Sequence, residues 1–474
     1  MARKDKVLDL TNDKQNPIKL IIALAWPLFL EQILSTLVSF ADTAMVGALG
    51  VTATAAVSIT NSVVFLINGV VIAMGVGLTA YVSRSVGAKD YEAAKAYIRH
   101  AFLILALVGL PLCIAMTVLH RQIPAWMGAE EIIMDKASNY VLITSTMRIF
   151  SMAMLVLASV FRGRGDTKTP LRINILVNII NIVGNYILIN PSHTIHVFGL
   201  SIPMFGAGLG VEGAALSTGF SWVVGGIIMA VKLFTKDDPT RITLKESYRP
   251  DPQLISRVLK LAFPAMLERF SISLAGIIVS KCIASLGTTV VAANTVYSTA
   301  ESISFMPAFA FATAATTLVG QSLGAGKPSL AERYAHLTVL IGAIILTFAG
   351  FCLFIFAEPM VRMFTPDEAA IAIAKRCLQI VAFFQPIQAT GWIYAGGLRG
   401  AGDTRWPLYI TASCNWALRV LGAVLCIRIL GLGLPEAVVC MCLDLSARAV
   451  FMFLRFRTGK WKVAIQDRHT VMAA

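Results

Sequence analysis

LAWPLFLEQ, residues 24–32, returns as LAFPAMLER at 261–269. Two further pairs keep the same spacing: SVGAKD at 85–90 with SLGAGK at 322–327, and GRGDTKTPL at 163–171 with GAGDTRWPL at 400–408. All three are offset by 237 residues, half the length of a 474-residue chain. The sequence is therefore two copies of one unit, and a repeat of this kind constrains the fold before any single motif is weighed. Composition decides the solvent. Hydrophobic residues make up 57% and charged ones 14%, against about 25% charged for an average soluble domain, which excludes a water-soluble fold.

With roughly 20 residues needed for each helical crossing, twelve apolar stretches are predicted as spans: 18–45, 52–79, 97–119, 133–160, 169–190, 207–234, 254–281, 288–318, 332–356, 366–395, 405–429 and 433–455. The first is too long and too irregularly bounded for a cleavable signal peptide. Six spans per repeat is an even number, so the halves enter the membrane in the same direction, related by an axis near the membrane normal. The expected fold class is all-α integral membrane, with twelve transmembrane helices in two six-helix lobes. The expected division is an arm at 1–17, an N-terminal lobe at 18–234, a linker at 235–253, a C-terminal lobe at 254–456 and a tail at 457–474. The linker holds the charged, proline-containing stretch TKDDPTRITLKESYRPDP, 235–252.

Charge orients this arrangement. Of the 40 Lys and Arg residues, 29 fall in 1–19, 84–99, 162–172, 232–260, 327–333, 399–405 and 455–474. That bias places the arm, the linker and both termini in the cytoplasm. It also accounts for the formal net charge of +14 without a nucleic-acid-binding arm.

Positions that obey the repeat read first as architecture. Pro27 pairs with Pro264, Glu31 with Glu268, Arg162 with Arg399, Asp166 with Asp403 and Asn178 with Asn415. Proline inside a span removes a backbone hydrogen bond and usually bends the helix, so the first helix of each lobe is expected to bend. The two Gly-Asp-Thr loops are expected to cap the helices that follow them. Positions that break the repeat point to chemistry. Asp42 corresponds to Val279, Asn181 to Leu418 and Asn185 to Gly422.

Asp42 lies 11 residues after Glu31 in the first span, and at about 100° per residue both project within roughly 20° of one face. An acid at mid-bilayer costs on the order of 2.5–3.5 kcal/mol and so needs a partner or a function. In the fifth span Asn174, Asn178, Asn181 and Asn185 recur at i, i+4, i+7 and i+11, a narrow stripe on one helical face. Alone, such amides read equally well as interhelical hydrogen bonds, worth well under ~2 kcal/mol each. With Asp42 they form a candidate cation pocket, since oxygen ligands beside an ionisable acid suit Na⁺ or H⁺.

The C-terminal half offers Glu268 and Glu301 in spans seven and eight. Arg269 follows Glu268 directly and is positioned to neutralise it. Asp444 and Arg448, at i and i+4, are expected to form a self-satisfying salt bridge. Arg148 and Arg419 suit either polar packing or an anion-tolerant cavity. The eight cysteines include no C-x-x-C and are given no chemistry. His193 and His196 have a metal-like spacing without further ligands nearby, so a polar outside loop is expected there. There is no G-x-x-x-x-G-K-[ST] loop to bind ATP and no Ser-His-Asp arrangement, so the chain is not expected to be an enzyme. No cofactor is expected beyond Na⁺ or H⁺ as coupling ion.

Four segments carry a family resemblance: ADTAMVGALG at 41–50, SFMPAFAFATAATTLVGQ at 304–321, QSLGAGK at 321–327 and LRGAGDT at 398–404. With them the chain resembles the multidrug and toxic compound extrusion (MATE) transporters of the prokaryotic NorM-like group along nearly its whole length. The resemblance implies a central cleft between two lobes and alternating access driven by inward Na⁺ or H⁺ movement. It also implies a cargo of small amphipathic, cationic organic compounds and a bacterial inner-membrane location. Asp42 matches the family's N-lobe acid, Asn181 an amide of that pocket and Thr218 a hydroxyl lining it. Asn185 stands where some members have a second aspartate. Glu268 matches a C-lobe acid associated with Na⁺, and Gln388 replaces that acid's partner aspartate. The candidate cation site is therefore Asp42, Asn178, Asn181, Asn185 and Thr218, with a second cation or substrate site at Glu268, Glu301 and Gln388. The protein is expected to act as a monomer in the lipid bilayer.

Rival readings are a lipid-linked oligosaccharide flippase, an ion channel, and a membrane scaffold or receptor. A flippase needs a cleft rich in Arg and Lys to hold pyrophosphate, a channel does not need duplicated lobes that rock, and a scaffold leaves Asp42 without a role.

Overall fold

A computed structural model describes residues 10–463, apart from 13, 198 and 199. Among the described residues twelve helices are long and apolar enough to cross a membrane. In the N-terminal half these are α1 Pro17–Gly47, α2 Val51–Gly87, α3 Tyr91–Val118, α4 Glu131–Gly163, α5 Lys168–Ile189 and α6 Gly210–Thr235. The C-terminal half contributes α7 Pro252–Ala284, α8 Thr288–Gly324, α9 Pro328–Ile355, α10 Glu368–Gly400, α11 Arg405–Ile429 and α12 Leu434–Arg457. The chain is a multi-pass membrane protein of two six-helix lobes.

Several helices outrun the apolar stretches that predicted them, because capping residues and not hydrophobicity set their ends. Asp90 accepts from the Ala93 N–H, which starts α3 at Tyr91, six residues before its apolar run. Likewise α2 and α8 continue to Gly87 and Gly324, the glycines of the second repeat motif. Helices α1 and α7 run unbroken through Pro27 and Pro264. Asp166 does cap the helix after its loop, accepting from the Thr169 N–H at 3.1 Å. Gly165 and Gly402 turn the two Gly-Asp-Thr loops at φ +82° and +83°, a left-handed conformation that favours glycine. Lys236 then pins Asp166 and Arg455 pins Asp403, at 2.5 and 2.8 Å. The outside loop expected around His193 and His196 carries an antiparallel strand pair, β1 Pro191–Val197 and β2 Leu200–Ala207. The side chains of His193 and His196 lie outside the described residues.

Each lobe's first helix leans on the other lobe: α1 packs against α8, and α7 against α2. Between them α2 and α8 cross at the end of the bundle that carries the termini, and here the repeat has a direct physical cause. A Cβ on Gly87 would meet the Gln321 carbonyl oxygen at 2.0 Å, and one on Gly324 would meet the Arg84 carbonyl oxygen at 2.0 Å. The two contacts exchange under the 237-residue offset. Both backbones approach so closely that only a residue without a side chain fits. Thr317 and Gln321 add hydrogen bonds to the carbonyls of Arg162 and Gly163, at 3.0 and 2.9 Å. Leu10 is fully buried beside this seam, and the Tyr334 hydroxyl donates to its carbonyl. The lobes are thus joined at the terminal end.

This seam predicts the behaviour of a probe. In a background lacking the eight native cysteines, Thr317→Cys should resist a water-soluble maleimide applied from the side carrying the termini. Adding Gly324→Val should raise its labelling severalfold; unchanged labelling would show that the glycine contact does not hold the lobes together.

Candidate functional site

Helices α1 and α5 lie side by side, joined by two hydrogen bonds of one pattern. Asn174 donates to Glu31 Oε1 at 2.6 Å and Asn185 donates to Asp42 Oδ1 at 2.6 Å, both with 143 residues between partners. The 11-residue spacing that puts both acids on one face of α1 therefore recurs on α5. With 1.5 Å of rise per residue, the acids sit about 16 Å apart in depth. They have different environments.

Asp42 faces a cavity of about 590 Å³ together with Ser39, Thr54, Tyr140, Asn185 and Thr218. Asn181, just behind it, donates to Thr218 Oγ1 at 3.1 Å. The carbonyl oxygens of Asn181 and Asn185 are buried with no hydrogen-bond partner. An orphaned buried acceptor is costly, on the order of 1–3 kcal/mol. One of them, on Asn185, lies beside the half-buried carboxylate and, with the Thr218 hydroxyl, makes a set of oxygens that suits a desolvated monovalent cation. Asp42, Asn185 and Thr218 are thus brought together on this cavity, Asn181 reaches it through Thr218, and neither Asn181 nor Asn178 is among the residues lining it. Ser39, Thr54 and Tyr140 were not singled out from the sequence; Ser39 lies one helical turn before Asp42 on the same face.

Glu31 lies deeper, held by Arg162 at 2.8 Å as well as by Asn174. The C-lobe repeats this arrangement. Arg399 donates to both Glu268 oxygens at 2.7 and 2.9 Å, and Thr411 donates to Glu268 Oε1 at 3.1 Å. Glu31, Arg162 and Asn174 map onto Glu268, Arg399 and Thr411 at the 237-residue offset. The partner expected for Glu268 was its neighbour Arg269; the structure gives it Arg399, because adjacent residues on a helix point about 100° apart. Gln388 and Glu268 line one small pocket, and the polar groups around Glu301 are Tyr297, Arg419 and Gln388. Arg448 pairs with Asp444 one turn away, its Nε at 2.7 Å from Oδ1. Arg148 is buried over the Trp222 ring at 4.6 Å.

The largest of these spaces, about 1350 Å³, lies between the lobes. Glu31, Arg162, Arg269, Phe309, Trp392 and Arg399 are on its wall. It carries two aromatic rings and three guanidinium groups; from the sequence Arg162 and Arg399 read as repeat-paired charge at the ends of their spans, and Arg269 as the neighbour of Glu268.

The MatE family model matches the chain twice, over residues 27–187 and 264–425. The two matches begin 237 residues apart, the spacing of the internal repeat. A protein named "Probable multidrug resistance protein NorM" from Thermotoga maritima is 29% identical, with 96% of this chain and 95% of that protein covered. A NorM protein from Idiomarina loihiensis, also named a probable multidrug resistance protein, is 26% identical over 86% of this chain and 85% of its own. Among solved structures, a MOP superfamily transporter from Pyrococcus furiosus, described as having a binding pocket of reverse polarity that suggests a different function, aligns with a TM-score of 0.86 at 23% identity. That alignment covers 98% of this chain and 99% of the other. An outward-facing multidrug resistance MATE family transporter aligns with a TM-score of 0.84 at 23% identity, over 97% of this chain and 99% of the other.

The Glu31–Arg162 pair generates a stability prediction. Removing one partner of a buried pair leaves the other charge uncompensated at a cost of about 3–5 kcal/mol, and replacing both relieves most of it. Because Arg162 is 20% exposed, the lower end applies. Glu31→Gln should lower the thermal unfolding midpoint in detergent, and Glu31→Gln with Arg162→Gln should recover part of the loss; a double variant as unstable as the two single losses combined would contradict the pairing.

Proposed function

Because this chain belongs to the MatE family, we propose that it is a secondary active exporter of small amphipathic organic compounds, driven by inward movement of Na⁺ or H⁺ through alternating access. The observation that carries this reading is the Asp42 cavity, where a half-buried carboxylate meets Asn185, whose side-chain oxygen is orphaned, and Thr218, which Asn181 holds from behind. It occurs in one lobe, since the repeat puts Val279, Leu418 and Gly422 at the corresponding positions.

The proposed cycle follows from the geometry. With the termini in the cytoplasm of a bacterial inner membrane, the α2–α8 seam closes the inner side and the Asp42 cavity faces outward. Cation binding at Asp42 compensates its charge and engages the free amide oxygen of Asn185. Helix α1 carries both Asp42 and the deeper Glu31, so a shift of α1 on cation binding reaches the central cavity without an intermediary. A cation moves this equilibrium only if it binds the two arrangements unequally, and a carboxylate whose partners differ between them supplies the inequality. Glu268 has a weaker claim to cation binding, because Arg399 already holds both its oxygens.

Cargo is assigned to the central cavity. The sequence favours cationic cargo, but the carboxylate lining this cavity, Glu31, is already neutralised by Arg162. A flippase for pyrophosphate-linked lipids is less well supported, since Arg162 and Arg399 are both occupied by glutamates. The chain is proposed to act as a monomer.

Asp42→Asn keeps the size of the side chain and removes its charge. In liposomes with Na⁺ and pH gradients imposed in turn, gradient-driven export should fall by more than about ten-fold, with membrane abundance and thermal stability near the parent's. An abundant variant exporting at the parental rate would overturn the role given to Asp42.

A further inference from the structure

The floor of the central cavity is nearly symmetric and then departs from symmetry at one residue. Glu31 with Arg162 and Glu268 with Arg399 form two neutral, equivalent pairs. The next position on each first helix is Gln32 in the N-lobe and Arg269 in the C-lobe, and both line the cavity. Arg269 therefore adds a positive charge to an otherwise balanced wall. Its guanidinium makes no hydrogen bond or ion pair among the described residues. Its close neighbours are the rings of Phe309 and Trp392, at 5.9 and 6.0 Å from their centroids.

An arginine stays charged at any physiological pH. Two aromatic faces at about 6 Å offset only part of its desolvation, so in the open cavity water must supply the rest. When the lobes close around cargo that water leaves, and an unpaired guanidinium then costs several kcal/mol. A cargo that brings its own anion removes this cost and gains a bidentate pair of the strongest hydrogen-bonded kind. Phe309 and Trp392, flanking the guanidinium, offer flat apolar surface next to that anion.

We propose that Arg269, Phe309 and Trp392 form a cargo subsite for the carboxylate and ring of an aromatic monocarboxylate. The proposal rests on the reading of the central cavity as the cargo site, and it replaces the expectation of a purely cationic cargo. Arg269 is the specificity-determining residue: it discriminates an anionic cargo from its neutral and cationic analogues, while the aromatic pair binds the ring of all three.

Equilibrium binding to the purified, full-length protein in detergent, with no ion gradient, tests this separately from export. The probes are pyrenebutyrate, its neutral amide, and a pyrenebutyl trimethylammonium of similar length. The parent should bind the carboxylate at least ten-fold more tightly than the amide, and the ammonium most weakly. Arg269→Gln, which installs the residue of the other repeat, should abolish the preference for carboxylate, with amide affinity no weaker than the parent's and thermal stability unchanged; Arg269→Lys should retain a part of the preference. Equal binding of the three probes by the parent, a preference for the ammonium, or a carboxylate preference that survives in Arg269→Gln would overturn the subsite. If the carboxylate binds as expected but no gradient drives its efflux from liposomes, the export reading fails and the subsite stands.

Discussion

A carboxylate that enters hydrocarbon must be compensated there, and the organisation of this protein follows from how its acids meet that requirement. Glu31 and Glu268 each take an arginine from the end of the fourth helix of their lobe and a polar donor from the fifth. Each pairing ties the first helix of a lobe to the helices that follow it. It also fixes the depth at which α1 and α7 sit beside α8 and α2, because the charged groups tolerate little sliding before their bonds break. Asp42 is compensated incompletely. It has one amide donor and no arginine, and the oxygen of that amide is itself without a donor. One pattern of residues thus yields two acids paired with arginine, of which Glu31 still leaves Oε2 without a hydrogen bond, and one acid held by an amide alone among the described residues.

Rigidity at the floor and openness at Asp42 are both needed for coupling. The lobes touch through backbone where Gly87 and Gly324 let α2 and α8 cross, and such a contact is either made or lost, with little between. Interfaces packed this closely are bistable. In the proposed mechanism a cation bound near the other end of α1 would have a two-state element to bias, which is the physical content of coupling between sites. Coupling requires no long chain of contacts here, since α1 is one continuous helix from Pro17 to Gly47.

Much of this was legible in the sequence because it was written twice. Membrane class, span number and lobe division followed from apolar length and a constant offset, and the same offset isolated Asp42, Asn181 and Asn185 as additions to one lobe. The acid spacing of 11 on α1 and the amide spacing of 11 on α5 were both visible; that they match rung for rung depends on the two helices lying side by side, which no periodicity reveals. The partner of Glu268 was misread because proximity in sequence is a poor guide on a helix, where the neighbour points away and a residue 131 positions distant arrives. Helix ends were misplaced wherever a polar cap extended the helix beyond its apolar run, as at Asp90. The charge of the central cavity was hidden for a different reason: Arg162, Arg269 and Arg399 come from three helices, and only the packing of those helices brings them to one wall.

A cation moves the equilibrium between two arrangements only if it binds them unequally, however tightly it binds. The departures from the repeat in this chain separate the candidate cation oxygens from the free charge of the central cavity. Asp42, Asn181 and Asn185 place cation-suited oxygens in one lobe, against Val279, Leu418 and Gly422 in the other. Arg269, against Gln32, places the uncompensated charge of the central cavity on the opposite lobe's first helix. In the proposed mechanism cation and cargo fall in different halves, on α1 and α7, and those two helices each pack across the lobe boundary. Movement of one lobe relative to the other changes the surroundings of both ligands at once, so each ligand can bias the arrangement that the other requires.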